Sequence, residues 1–249
     1  MEIKNIDKLP DQVKKALEPY LNELIKIYGE DIVSVFVYGS VTGPDYNPKT
    51  SDINLAIVLK EVSLDKFKPV LKTVKQGLRR KITAPLFLSP SYIKMSLDTF
   101  PMEFMNMKDS RLVLFGDDVL ADISAEKMDI RRECEYQLKG RLLTIRQAYL
   151  EQAMNRKGLE GLLKSSFRAL MPVFENVLRL KLEGSIPTDK EKILSRLGEE
   201  FEVDVSSFME ILHDKETDGK IGGRPLEDFL NDFLVQLEKL TDIVDGMVI

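Results

Sequence analysis

Residues 32–40 read Ile-Val-Ser-Val-Phe-Val-Tyr-Gly-Ser, and residues 51–59 read Ser-Asp-Ile-Asn-Leu-Ala-Ile-Val-Leu. The first is a short β-branched and aromatic run cut off at Gly39-Ser40, the pattern of a buried strand over 32–38 that ends in a tight turn. The second opens on a carboxylate and continues as an apolar run, which predicts another strand over 52–59. Between them, 43–50 is rich in Gly, Pro, Asp and Asn and reads as a loop. A glycine and a serine directly after a strand leave backbone N–H groups and a hydroxyl in a turn that can cradle phosphate oxygens. Residues two apart on a strand share a face, so Asp52 and Asn54 point the same way and the turn can lie beside them. A carboxylate there suits Mg²⁺ or Mn²⁺, hard cations that take oxygen ligands together with substrate phosphates. Phosphoryl and nucleotidyl transfer need such an arrangement, because negative charge builds on phosphate oxygens in the transition state.

Working outward, 11–28 places Val13, Leu17, Leu21, Leu24 and Ile25 at helical spacing, with Asp11 as a cap and Gly29 as a stop. Residues 65–81 predict one helix with Phe67, Val70, Leu71, Val74 and Leu78 on its inner face. Short strands are expected at 85–88, 102–107 and 112–115, the last followed by a turn at Gly116-Asp117-Asp118. This alternation is an α/β or α+β pattern. After about residue 124 the strand-like runs give way to amphipathic helical stretches at 129–155, 159–183, 189–197, 206–212 and 225–244. A kink is expected at Pro172, and 217–223 is a polar, glycine-rich connection. The expected division is a first domain over 1–123 and an all-α helical bundle over 124–249.

Composition narrows the function classes. The chain has 249 residues, 36 basic and 41 acidic, for a formal net charge of -5. That balance argues against a long nucleic acid as partner, which calls for a basic face. One cysteine, Cys134, allows no internal disulfide, and one histidine, His213, argues against a histidine-rich metal site or a Ser-His-Asp triad. A cytoplasmic location fits this usage. The N-terminus lacks the features of a signal peptide and no apolar run spans a bilayer, so no membrane partner is expected.

The stretch from Tyr38 to Leu55 resembles the nucleotidyltransferase superfamily, the polymerase-beta-like fold. The pattern of that family is a glycine-serine turn, a variable loop, a strand with Asp-x-Asp, and a third carboxylate on a neighbouring strand. Here Gly39-Ser40 is the turn and Ser51-Asp52-Ile53-Asn54-Leu55 the strand start. The resemblance covers about residues 30 to 120. It implies a small mixed sheet flanked by helices, a nucleoside triphosphate as substrate, and transfer of a nucleotidyl group to an acceptor that the sequence does not specify. It implies phosphate contacts from Gly39, Ser40 and Ser51, and metal ligation by Asp52, Asn54 and Glu103, with Asp52 and Glu103 catalytic. Asn54 departs from the pattern: an amide stands where the family has its second metal-binding aspartate. The alternative is therefore a catalytically degraded module that binds nucleotide or a protein partner.

The remaining candidates have plainer expectations. Asp45 is a turn former before it is a stand-in carboxylate. Cys134 belongs to a core face. His213, near a helix end, caps or lies exposed. Arg131, Arg132, Lys139, Arg141 and Arg146 on the first bundle helix, and Lys164, Arg168 and Arg179 on the next, read as solvated faces before they read as phosphate contacts.

Overall fold

The computed structural model describes residues 3–44, 46–152, 155–217, 221 and 225–249. The chain divides into two compact units, Met1–Ala125 and Glu126–Ile249.

The first unit is built on a four-stranded mixed sheet whose strands lie side by side in the order 86–88, 54–59, 32–38 and 112–116. Helix α1 (Asp11–Tyr28) begins directly after Pro10 and stops at Gly29, whose φ of 53° suits a residue without Cβ. Asp11 is the first helical residue and makes no side-chain cap. Strand β1 (Ile32–Tyr38) pairs antiparallel with β2 (Asn54–Leu59), bringing Tyr38 opposite Asn54. On its other side β1 pairs antiparallel with β4 (Leu112–Gly116), and β2 pairs parallel with β3 (Leu86–Leu88). Alternation along the strands then sorts the faces. Val35, Val37, Ile53, Leu55, Ile57 and Leu59 pack with Val13, Leu17, Leu21 and Leu24 of α1 in one core cluster. Asn54, Ala56 and Val58 have the opposite parity.

Two expectations need correction. Residues 65–81 do not form one helix. Pro69 lies in a 3-10 turn (Lys68–Val70) that separates α2 (Leu64–Phe67) from α3 (Leu71–Leu78). The inner face is Val70, Thr73 and Gly77, while Leu71 and Leu78 are exposed. Gly77 is there because Tyr20 is against it: a Cβ at Gly77 would come within 2.6 Å of the Tyr20 ring. Residues 102–107 are not a strand either. They lie in α5 (Pro101–Asp109), where Pro101 occupies the first turn, a position its fixed φ favours. Buried Pro101, Met102, Phe104, Met105 and Met107 follow the helical i, i+3, i+4 spacing. The unbranched methionines and the absence of any β-branched residue from 101 to 109 favour that choice. A short helix, α4 (Pro90–Met95), precedes it, capped by the Ser89 hydroxyl accepting the Tyr92 N–H at 3.1 Å.

The described residues of the second unit are helical and hold no strand: α6 (Lys127–Gln152), α7 (Arg156–Lys181), α8 (Lys190–Phe201), α9 (Ser206–Thr217) and α10 (Leu226–Asp245). Helix α7 runs unbroken through Pro172 and packs against each of the other four. Phe174, Phe208 and Phe233 meet in the core of this unit, with ring centroids 5.2 and 5.0 Å apart, the first pair tilted and the second edge-to-face. Asn155 and Asp189 cap α7 and α8 through their side-chain oxygens. No described helix is long and apolar enough to cross a membrane.

Candidate functional site

The site expected from the sequence lies where β1 ends and β2 begins. Gly39 has φ 79° and opens a 3-10 turn, Gly39–Thr42, that carries exposed Ser40. The turn is tied down from one side by Ser110, the residue after α5. Its hydroxyl accepts the Gly39 N–H at 3.0 Å and donates to the Asn106 carbonyl at 2.7 Å. Its carbonyl accepts the Thr42 hydroxyl at 2.7 Å. The Gly39 N–H is therefore already committed, and the turn's remaining polar offering to a ligand comes from Ser40 onward.

Asp52 is exposed just before β2, and Asn54 is half-buried as its first residue. Between them Ile53 bridges to Ile82 in the lead-in to β3. The Asn54 amide is held on two sides. Its oxygen accepts from the Thr83 hydroxyl at 3.3 Å. Its nitrogen lies against Gly39, where an added Cβ would meet it at 3.3 Å. Asn54 thus turns an N–H donor toward the glycine turn and engages its oxygen elsewhere. Ser51 serves the loop: its hydroxyl accepts the Asn47 N–H at 3.1 Å, and its own N–H donates to the Asn47 carbonyl at 2.8 Å. Lys81 closes the same loop with bonds from its ammonium to the carbonyls of Pro48 and Lys49 at 3.0 and 2.6 Å. Asp45 lies outside the described residues.

Glu103, expected on a strand beside Asp52, is instead exposed in the first turn of α5. The strand that does neighbour β2 on that side, with its lead-in over 82–88, contains no acidic residue. No group of three or more His, Cys, Asp or Glu able to hold a metal occurs among the described residues. Asp52 is the charged oxygen donor beside the turn, since the Asn54 amide faces it with its nitrogen, so the residues present fit a single hard cation whose other ligands come from a nucleotide's own phosphates. They do not fit a pair of ions, whose mutual repulsion requires bridging carboxylates.

Sequence reasoning missed Ser110, Thr42 and Thr83. Each is a small hydroxyl residue at an element junction, and only the pairing of distant segments shows what it holds.

An open cleft of about 440 Å³ lies elsewhere on this unit, along β4, lined by Lys4, Lys108, Arg111 and Asp118 among others. Its cations are already engaged. Arg111 grips Asp118 with two bonds of 2.6 Å, Lys108 donates to the Ile123 carbonyl and Lys4 to the Gly116 carbonyl.

Comparison with known proteins bears on the fold. No family model matches the chain, and no curated protein does. Among solved structures, spectinomycin adenyltransferase AAD(9) from Enterococcus faecialis, solved with ATP and spectinomycin, matches with a TM-score of 0.54. Sequence identity is 10%, and the match covers 93% of this chain and 99% of that one. The likeness is one of fold. This chain's mixed sheet and the helices that follow it lie within a fold shared along nearly the whole length of both chains.

The other candidates have structural roles. Cys134 is fully buried in α6, and burial pushes its thiol well above the usual range. The His213 ring lies 2.9 Å from Glu191. The basic residues of α6 are largely paired within the second unit: Arg131 and Lys139 with Glu135, Arg132 with Asp129, Arg146 with Glu238. Lys164 meets Asp214 at 2.6 Å, and Arg168 and Arg179 donate to Lys164 and Asn176 of their own helix.

Proposed function

We propose that the chain binds a nucleoside triphosphate at the Gly39-Ser40 turn, with one Mg²⁺ or Mn²⁺ held by Asp52 and the phosphates, and transfers its nucleotidyl group slowly to a small acceptor. The observation that carries this is the convergence of the left-handed glycine turn and Asn54 at the mouth of β1 and β2, with Asp52 next to it in sequence. The Ser40 hydroxyl and the N–H of Asn54 are donors to phosphate oxygens. Asp52 supplies an anionic oxygen ligand to the cation that the triphosphate carries. The neighbouring fold belongs to an adenyltransferase solved with ATP and spectinomycin, which supports a nucleotide and a small acceptor. Slowness follows from the donor set: the amide at position 54 removes one charge from the stabilisation of the transition state, and no acid on β3 replaces it. Glu103, carried on the first turn of α5 rather than on a strand beside Asp52, is the proposed general base for the acceptor.

A second reading, a nucleotide-binding module without transfer, is favoured by Asn54, which faces the glycine turn with its amide nitrogen and not with a charged oxygen. One experiment separates the two. The full chain is incubated with each α-labelled nucleoside triphosphate, Mg²⁺ and a panel of aminocyclitol and aminoglycoside acceptors, and pyrophosphate release is followed. Release that depends on Asp52 supports transfer. Metal-dependent binding with no release supports the module, and absence of nucleotide binding rejects both.

A further inference from the structure

Residues 66–97 contain eight lysines and arginines and not one aspartate or glutamate, although the whole chain has 36 basic and 41 acidic residues. Some of these cations are engaged: Lys66 with Asp31, Lys68 with Asp65, Lys81 with the loop carbonyls. Lys72, Lys75, Arg79 and Arg80 are exposed and have no ionic partner among the described residues. They belong to α3 and its end, whose inner face is Val70, Thr73 and Gly77. About 120° around the helix from that face, Leu71 and Leu78 stand 62% and 55% exposed. At about 100° per residue, Leu71 and Leu78 lie about 20° apart around the helix, and Lys75 about 40° from Leu71. The chain continues into α4, which exposes Tyr92 at 48% and Met95 at 78% on either side of exposed Lys94.

We propose that this cationic segment docks the protein on an anionic lipid surface. Apolar side chains held out in water among unpaired cations suit an interface that offers anionic headgroups and acyl chains together. A nucleic acid would use the cations and leave the leucines without a partner. The net charge of -5 does not oppose the docking, because charges beyond a Debye length of about 8 Å are screened and the local field decides. A peripheral surface of this kind needs no apolar span, so the expectation of no membrane partner, drawn from the absence of one, does not bear on it. The proposal is independent of the nucleotide site.

The test is sedimentation of the full chain with vesicles of phosphatidylcholine alone or mixed with phosphatidylglycerol, at low and high salt. Binding confined to the mixed vesicles and weakened by salt is the expected result. Each cation near an anionic leaflet strengthens binding about fivefold, so the combined Lys72→Gln, Lys75→Gln, Arg79→Gln, Arg80→Gln variant should bind roughly a hundredfold or more weakly. The Leu71→Ala, Leu78→Ala variant should lose the binding that survives high salt. All six positions are exposed, so an unchanged thermal melt is expected and separates loss of docking from loss of fold. Equal binding to neutral vesicles, no binding to either, or full binding by the four-cation variant would overturn the proposal. So would tight binding to single-stranded RNA by a protein that ignores the vesicles.

Discussion

Replacing Gly39 by alanine tests both the turn and its role. Gly39 has φ 79°, a region that costs an L-residue with a Cβ about 1–2 kcal/mol. The new Cβ would lie 3.3 Å from the Asn54 amide nitrogen, which must give way by a few tenths of an ångström. Twisting that side chain off its rotamer adds on the order of 0.5 kcal/mol. The sum is about 2 kcal/mol, or roughly 5–10 °C in the melting of a unit this size. Gly29→Ala is the control for a positive-φ glycine at a helix end. Its φ is 53° and nothing lies within 4 Å of the added Cβ, so it carries the backbone cost alone. Thermal and urea unfolding followed by far-UV circular dichroism should place both variants below wild type. Calorimetric titration with ATP and Mg²⁺ should show at least a tenfold loss for Gly39→Ala and none for Gly29→Ala. A Gly39→Ala protein that is destabilised yet binds nucleotide normally would refute the reasoning, since the turn would then be only a turn.

Gly116→Ala should be the most damaging single methyl in the first unit. Its Cβ would fall 2.1 Å from the Val33 carbonyl oxygen, which also accepts the Asp117 N–H at 3.0 Å and so cannot retreat. A loss of about 3 kcal/mol or more is expected, read as a lowered urea midpoint or insoluble expression. Asn54→Asp should tighten Mn²⁺ binding in the presence of a non-hydrolysable nucleotide and raise any transfer rate; unchanged stoichiometry and affinity would place residue 54 outside the metal site. The Arg111 guanidinium holds the Asp118 carboxyl below its usual 3.8. A carboxyl depressed in the folded state stabilises above the unfolded value and loses that contribution as pH falls through the folded one. Asp118→Asn should therefore be less stable than wild type by at most about 1 kcal/mol near neutrality, with the gap closing below about pH 4. A gap that is constant from pH 7 to pH 3 would exclude the ion pair as its cause.

The first helix and the strands at 32–38, 85–88 and 112–115 were legible because burial on one side leaves a clear period in the residues. The second strand was legible except for its start: Asp52 precedes the ladder, which pairs from Asn54. Residues 102–107 misled because Met102 and Phe104, two apart, imitate strand alternation, while Pro101 was the better signal. The exposed leucines of α3 misled in the same way, since Leu71 and Leu78 looked like an inner face that Gly77 and Tyr20 in fact occupy. At the site, Gly39, Ser40, Asp52 and Asn54 could be named from their spacing. The hydroxyls that hold them, Ser110 and Thr83, come from segments far along the chain, and no local pattern marks them.

The central claim is that Asp52 at the glycine turn gives the chain a metal-dependent nucleotide site, and calorimetric titration of a non-hydrolysable ATP analogue, with and without Mn²⁺, into wild type and Asp52→Asn tests it most directly. One nucleotide and one ion per wild-type chain are expected, with binding that requires the metal and with loss of both on Asp52→Asn at a preserved melting temperature. Wild-type affinity retained by Asp52→Asn, or nucleotide binding indifferent to the metal, would contradict that claim.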